Sequence, residues 1–311
     1  MSDGAPIYHD LAAGPAGGRG FWLHAADGVR LRAAHWPGGS RGTVMLFAGR
    51  TEYIEKYGRA AADLAARGYG TLCIDWRGQG LSDRPLPDPM TGHVANFAEY
   101  QLDVQALAAL ADDLDLPGPR YLLSHSLGGA IALRALMLGL PVQAAVFSAP
   151  MWGIGMATWM RPVARVLAEV SRVLQQDHRY APGTSPVTYV AEAPFVGNVL
   201  TSDPDMFAMM KAQVAARPEL SLGGPSLGWL HAALAECRAL AALPSPDISM
   251  ICALGSAEKV VNVAAIHQRM AGWAKGRLDL YPGSEHEVMM ETPAQRKRFF
   301  DSAAALFDSC R

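Results

Sequence analysis

Ser126 stands in the segment YLLSHSLGGA, residues 121–130, where an apolar strand pattern runs directly into a helical pattern. A sharp strand-to-helix turn exposes the serine Oγ, and free N–H groups at the helix start stabilise a developing oxyanion. Gly128 and Gly129 supply small residues after the turn, whereas Ser124 stands where a glycine is usual. The pattern predicts that Ser126 is a nucleophile, with a helix-capping serine as the alternative interpretation.

A nucleophilic serine needs a base, and the best candidate stands late in the chain. After a serine on such a turn, the acid and then the histidine follow along the chain. His286 lies in a Gly-Ser-Glu-His segment between a strand pattern at 277–281 and the last helical pattern. We therefore expect His286 to take the proton of Ser126.

Three acidic residues are candidates for orienting His286. Glu258 follows a buried strand pattern, in the segment LGSAEKVVN. Asp279 lies in the middle of a strand pattern, and Asp247 precedes one, at the opposite end of the sheet. We expect Glu258 to hold the imidazole, with an exposed ion pair between Glu258 and Lys259 as the alternative.

An oxyanion formed by attack of Ser126 needs N–H donors. One is the backbone amide of Leu127, directly after the nucleophile. The other is expected in the loop after the strand pattern at 43–48, where Gly49 permits a tight turn that leaves the Arg50 amide free. The Arg50 side chain is either solvated or available to an anionic group of a substrate.

Short apolar runs alternate with helical patterns and position these motifs. Strand patterns cover residues 43–48, 70–75, 120–124, 144–148, 248–253 and 277–281, and helical patterns cover 56–67, 96–114, 126–139 and 293–310. The alternation predicts an α/β fold with a mostly parallel sheet and helices on both faces. Residues 21–24 and 29–36 read as an antiparallel hairpin at the sheet edge.

Composition excludes several classes of partner. The 311 residues are half hydrophobic and carry a net charge of −2, so we expect a full core and no nucleic-acid partner.

The four cysteines are scattered without a CxxC pair, which gives no zinc signature and fits a reducing compartment. With no secretory signal or membrane-spanning run recognisable, we expect a cytoplasmic protein that uses no cofactor or metal.

Six segments resemble the monoglyceride lipase and lysophospholipase branch of the α/β-hydrolases, in that family's order. They are AGRTEYIEKY, DWRGQGLSD, SHSLGGA, SAPMWGI, LGSAEKVVN and GSEHEVMME, and they span nearly the whole chain. The GR-x-E-Y-x-x-KY pattern and the serine before His125 are most similar to the bacterial lysophospholipase L2 group. Glu258 and Ala48 depart from the family, where Asp and His are more usual.

The resemblance implies an α/β-hydrolase fold with an eight-stranded, mostly parallel sheet and an inserted helical cap. It also implies a triad of Ser126, Glu258 and His286, with Arg50 and Leu127 as the backbone donors. The alternation of strands and helices stops at residues 150–246. We expect this segment to be the cap, and residues 1–149 and 247–311 to form the core.

The cap segment begins with a Met- and Trp-rich stretch. Trp152, Met156 and Trp159 are candidates for binding an apolar chain, and packing of the cap onto the core is the alternative. Three arginines of the same segment either meet a head-group phosphate or form a solvated helix face: Arg161, Arg165 and Arg172.

The expected reaction is hydrolysis of a lipid carboxylic ester, a lysophospholipid or a monoacylglycerol, through an acyl-enzyme. Acyl transfer and general carboxylesterase activity on the same triad are alternatives, and a non-catalytic lipid-binding protein is a more distant one. Transient contact of the cap with the inner face of a membrane fits a lipid substrate. No pattern in the sequence sets the oligomeric state.

Overall fold

The computed structural model describes residues 4–156 and 160–311, and a single nine-stranded sheet forms its centre. The strands are β1 (Gly4–Ala5), β2 (Arg19–His24), β3 (Arg30–Trp36), β4 (Thr43–Phe47), β5 (Gly70–Asp75), β6 (Arg120–His125), β7 (Ala144–Ser148), β8 (Ser249–Gly255) and β9 (Gly276–Tyr281). Across the sheet the order is β1-β2-β3-β5-β4-β6-β7-β8-β9. The ninth strand, β1, was not expected, because its two residues are too few to show a strand pattern.

Ten α-helices accompany these strands in the described residues. They are α1 (His9–Ala12), α2 (Gly58–Ala65), α3 (Glu99–Asp113), α4 (Leu127–Met137), α5 (Met160–Val173), α6 (Tyr189–Glu192), α7 (Pro204–Ala216), α8 (Leu227–Ala242), α9 (Val263–Ala271) and α10 (Pro293–Ser309). The helical pattern at 56–67 is a 3₁₀ turn, Ile54–Tyr57, followed by α2. Helices α5–α8 lie in the chain between β7 and β8. Within the described residues, no helix is long and apolar enough to cross a membrane.

The sheet is parallel from β5 to β9 and antiparallel at the other edge. Strands β2 and β3 form the expected hairpin, and β3 pairs antiparallel with β5. Strands β4, β5 and β7 are buried along their whole length. This explains why they read as continuous apolar runs rather than as alternating ones.

The direction in which the chain crosses the sheet reverses at β4. From β4 the chain moves to β5 on one side, and from β5 it returns past β4 to β6 on the other. Because such crossovers are right-handed, α2 and α3 cover opposite faces. The carboxyl ends of β4 and β6 therefore border the crevice where ligands bind in open α/β sheets.

Candidate active site

Ser126 occupies a sharp turn between β6 and α4. Its φ is 48°, a conformation that side-chain-bearing residues rarely adopt. Two hydrogen bonds brace the turn: the Ser126 amide donates to the carbonyl of Ser148 at 3.1 Å, and the Met151 amide donates to the Ser126 carbonyl at 2.8 Å. Ser124, in the usual glycine position, is fully buried, and its Oγ donates to a β7 carbonyl at 3.4 Å. The turn thus accommodates serine there.

The start of α4 lies directly against the end of β4. A Cβ atom on Gly128 would lie 2.2 Å from the Phe47 carbonyl oxygen and 2.6 Å from that of Ala48. Only glycine permits this approach, which brings the Leu127 amide next to the loop that carries Arg50. Among the described residues, neither the Leu127 amide nor the Arg50 amide has a hydrogen-bond acceptor. Both are available to a ligand.

His286 is paired with Glu258. The Nδ1 atom of His286 lies 2.7 Å from Oε2 of Glu258, whose side chain is completely buried. The second carboxylate oxygen accepts the amides of Val260 and Val261 at 2.5 and 3.0 Å. Burial would raise the pKa of Glu258, but the hydrogen bond and charge of His286 and the two amides lower it. An ionised Glu258 requires a proton on Nδ1, which leaves Nε2 free to accept one.

The rival acids lie elsewhere. Asp279 is on β9 and pairs with Arg277, at 2.8 Å, and with Ser302. Asp247 forms an exposed pair with Lys275 at 2.8 Å. Within the part of the chain that the structure describes, neither Asp279 nor Asp247 is hydrogen bonded to a histidine.

A cavity of about 370 Å³ has both Ser126 and His286 in its wall. This volume suits a small-molecule ligand. The wall is mostly apolar and combines the core with the segment between β7 and β8. Its apolar residues include Met151, Ile154, Leu200, Met210, Trp229 and Val261. None of these six residues was a predicted site residue, although Met151 and Ile154 stand in the Met- and Trp-rich stretch at the start of the segment.

The predicted substrate-binding residues are placed differently. Trp152 is buried against Phe147 and Trp273, with ring centroids 5.1 and 6.0 Å away, and its Nε1 donates to the Gly129 carbonyl. It packs in the core and is not among the residues that line the cavity. Met156 is half-buried and is not among them either. Trp159 and the side chains of Arg161 and Arg165 lie outside the described residues.

The Arg50 side chain reaches the cavity wall. Its Nη2 donates to the Gly223 carbonyl at 2.7 Å, and its guanidinium carbon lies 5.2 Å from the centre of the Trp229 ring. Burial lowers the pKa of Arg50 to about 10, so the group is still charged at neutral pH. The Arg50 side chain is therefore not freely solvated, which was one of the two alternatives for it.

A buried charged cluster lies behind the cavity. The Lys56 ammonium contacts Oε1 of Glu52 at 2.7 Å and Oε1 of Glu287 at 2.6 Å. Glu52 also accepts the Gly49 amide and the Tyr57 hydroxyl. The cluster joins the Arg50 loop to the residue after His286. The cluster was not predicted, although Glu52 and Lys56 belong to the GR-x-E-Y-x-x-KY pattern.

The pKa values of the two carboxyl groups in this cluster are shifted in opposite directions. Burial opposes ionisation of Glu52, yet Lys56 and the other donors lower its pKa to about 2. Burial raises the pKa of Glu287, whose Oε2 has no hydrogen-bond partner among the described residues. Glu52, Glu287 and His125 are spaced closely enough to hold a metal ion, but the Lys56 ammonium already bridges the two carboxylates.

The loop that carries His286 is also tied to the segment between β7 and β8. The His286 amide donates to the Val199 carbonyl at 3.3 Å, and the Glu287 amide donates to the Leu200 carbonyl at 2.7 Å. Val199 and Leu200 both line the cavity. One short backbone pairing therefore connects the cavity wall to the histidine.

A family model and several known sequences match this chain. A model of the Hydrolase_4 family, described as "Serine aminopeptidase, S33", matches residues 38–293. Lysophospholipase L2 of Escherichia coli strain K12 is 32% identical over 280 residues, which cover 86% of this chain and 79% of that protein. Monoacylglycerol lipase of Mycolicibacterium smegmatis is 27% identical over 276 residues, covering 86% and 90%.

Solved structures share the fold. A soluble variant of monoglyceride lipase from Saccharomyces cerevisiae, in complex with a substrate analog, superposes with a TM-score of 0.71 at 18% identity, covering 92% of this chain and 94% of that one. Monoacylglycerol lipase of Paleococcus ferrophilus gives a TM-score of 0.68 at 16% identity, covering 90% and 99%. The chain is therefore an α/β-hydrolase that belongs to the Hydrolase_4 family, in its lysophospholipase and monoglyceride lipase branch.

Proposed function

We propose that this carboxylic ester hydrolase cleaves the acyl ester of a lysophospholipid or a monoacylglycerol through an acyl-enzyme on Ser126. The observation that supports it best is the 2.7 Å pairing of His286 with buried Glu258, in the wall of the apolar cavity that also contains Ser126. The lipid substrate is inferred from the named activities of the relatives and from the apolar wall.

In the first half-reaction, Nε2 of His286 takes the Ser126 Oγ proton while Oγ bonds to the acyl carbon. The Arg50 and Leu127 amides donate to the resulting oxyanion. Collapse of this intermediate breaks the bond to the leaving alcohol, and the imidazolium protonates the alcohol oxygen. Ionised Glu258 stabilises the imidazolium while it exists.

In the second half-reaction, water replaces the alcohol. His286 takes a proton from the water as its oxygen attacks the acyl carbon. The bond to Oγ then breaks, the proton returns to Ser126, and the fatty acid leaves. The chemistry runs on side chains and backbone amides of this chain.

Residues 150–246 act in this proposal as a cap on a core of residues 1–149 and 247–311. Leu200, Met210 and Trp229 of this segment line the cavity that contains Ser126. The segment would thereby select the acyl chain while the core performs the chemistry.

Helix α5 of the proposed cap supports transient contact with a membrane surface. Val163, Val166, Val170 and Val173 share one helix face and are between 47% and 75% exposed. Glu169 and Arg172 instead contact His231 of α8, at 3.3 and 2.9 Å. An apolar helix face that points outward suits a lipid interface.

Co-sedimentation with phosphatidylglycerol vesicles tests the membrane contact. The double variant Val166→Glu and Val170→Glu should pellet less than the wild type, since each change places a charge on the apolar face. Equal pelleting would contradict a role for α5. Leu280→Glu, on an exposed apolar residue of β9, is the matched control.

The central test is Ser126→Ala, assayed with p-nitrophenyl butyrate, a monoacylglycerol and a lysophospholipid. Turnover should fall by about three orders of magnitude or more, and labelling by a fluorophosphonate should disappear. Ser309→Ala, an exposed serine at the end of α10, is the matched control. Undiminished turnover in the Ser126 variant would refute the proposal. Product analysis with an added alcohol separates hydrolysis from acyl transfer.

A further inference from the structure

Arg50 places a cation in the wall of the cavity that contains Ser126. Lys56, next to the same cavity, touches two carboxylates. The buried Arg32 and Arg77 likewise contact carboxylates at 2.7 Å. Arg50 has no carboxylate within 4.0 Å among the described residues. Its Nε is buried without an acceptor.

Arg50 is only partly exposed, and an anion that bound its guanidinium would offset the cost of burying the charge. Removing a charge from water costs several kcal/mol when no opposite charge compensates it. The Gly223 carbonyl and the Trp229 ring offset part of this cost, because each interacts favourably with a cation. Both neighbours hold the guanidinium at the cavity wall, and neither neutralises it.

The distance between the Arg50 guanidinium and the Arg50 amide indicates which anion fits. This step rests on the proposed function, in which the Arg50 amide receives the oxyanion of the scissile ester. An extended arginine carries its guanidinium about 6 Å from its own backbone. In a glycerophospholipid, about 6 Å also separates the ester oxygen from the phosphorus when the glycerol is extended. A lipid whose ester sits on the Arg50 amide thus has its phosphate within reach of the Arg50 side chain.

We infer that the Arg50 side chain is a specificity-determining group, which binds a phosphodiester one glycerol unit from the scissile ester and favours lysophospholipids over monoacylglycerols. Arginine suits this role, because its planar donors match two phosphate oxygens at once. The backbone and the side chain of one residue then recognise two parts of one substrate.

Gly92 provides a second way to test the side chain. A Cβ atom at this position would lie 2.5 Å from Nη2 of Arg50. Gly92→Ala therefore displaces the guanidinium while it retains the charge. Because the obstructing atom is the end of a flexible side chain, the substitution should leave the fold intact.

The experiment compares kcat/KM for an octanoyl lysophosphatidylglycerol and for monooctanoylglycerol, below their critical micelle concentrations. Arg50→Gln should lower the ratio of the two values about tenfold or more, since a hydrogen-bonded charge pair is lost on one substrate only. Arg50→Lys should give an intermediate ratio, and Gly92→Ala should lower it as well. Arg41→Gln, which removes an exposed arginine that pairs with Asp308, is the matched control and should keep the wild-type ratio.

The inference would be overturned if Arg50→Gln left the ratio of the two kcat/KM values unchanged, even if both values fell. This outcome is distinct from failure of the proposed function, which would appear as ester hydrolysis that survives Ser126→Ala.

A binding measurement gives an independent readout. Octyl phosphate should protect Ser126 from fluorophosphonate labelling in the wild type more strongly than octanol does, and Arg50→Gln should abolish this difference. Equal protection by octyl phosphate and octanol in the wild type would refute the inference. Protection by inorganic phosphate at the same concentration would show an anion site that ignores the lipid, and would overturn the head-group assignment.

Discussion

Replacing Lys56 by Met should destabilise the protein strongly, and more at pH 7 than at pH 5.5. The Lys56 side chain is only 6% exposed, and its ammonium is the cation between Glu52 and Glu287. Methionine keeps the apolar stem but leaves two carboxylates facing each other. Breaking a buried ion pair from one side typically costs 3–5 kcal/mol, roughly the range expected here.

The structure indicates how the variant would limit this cost. Glu52 keeps the Gly49 amide and the Tyr57 hydroxyl, so it can stay ionised. Glu287 loses its only side-chain partner among the described residues and should take up a proton. From the ordinary pKa of 4.5, protonating one carboxyl group costs about 3.4 kcal/mol at pH 7 and about 1.4 kcal/mol at pH 5.5.

The proton that Glu287 takes up sets the direction in which the stability of the variant changes with pH. Burial raises the pKa of Glu287, and the charge and hydrogen bond of Lys56 lower it, so removing Lys56 should raise it further above the unfolded value. The stabilising contribution of the protonated group is then present below pH 4.5 and is lost as the pH rises through the folded pKa. The difference in unfolding free energy between wild type and Lys56→Met should therefore narrow from pH 7 to pH 5.5, by at most about 2 kcal/mol, because the pKa of Glu287 is already raised in the wild type.

Urea unfolding at the two pH values measures the effect, with free energies from linear extrapolation. Lys275→Met is the matched control, because the same substitution there breaks an exposed pair with Asp247 and should cost less than about 1 kcal/mol. Adding Glu287→Gln to Lys56→Met should restore most of the lost stability at pH 7. A loss below 1 kcal/mol for Lys56→Met, or one independent of pH, would refute the reasoning.

Three further predictions concern the site and the thiols. Glu258→Gln should lower kcat for p-nitrophenyl butyrate about 10³–10⁴-fold, because an amide cannot stabilise the imidazolium. The pKa of Glu258 is lowered from 4.5, so the ionised group contributes to stability above pH 4.5, and this contribution is lost on acidification. Between pH 7 and pH 3, Glu258→Gln should therefore lose less unfolding free energy than the wild type, as measured by urea titration. Gly128→Ala should lower kcat and the melting temperature, because its Cβ would collide with the Phe47 carbonyl; unchanged kcat would argue against the Leu127 amide as a donor. Cys310 should be the single thiol that reacts quickly with a disulfide reagent in native protein, since burial raises the pKa of the other three.

Local sequence predicted the elements that present Ser126 and His286. Strands such as β5 and β7 are short, apolar and bounded by turn residues, and their predicted bounds coincide with those observed. The turn at Ser126 is equally local, because a strand, a serine and two glycines define it within ten residues. Its assignment as nucleophile stays a prediction until the variant is assayed.

Features that depend on distant contacts were not predictable in this way. The Lys56–Glu287 pair joins residues 231 positions apart, and periodicity carries no information on such a pair. Trp152 was a candidate for substrate contact because of its type, but only the packed structure reveals its neighbours Phe147 and Trp273. The same holds for Trp229, whose place in the cavity wall depends on how α8 packs.

The backbone pairing of Val199 and Leu200 with the His286 loop limits how the enzyme admits its substrate. Moving this stretch outward would break both hydrogen bonds and would free the histidine from one side. A gate built there would disable the reaction each time it opened. Residues 199–200 are therefore expected to stay in place during turnover, and any movement of the wall that admits substrate is expected in another stretch.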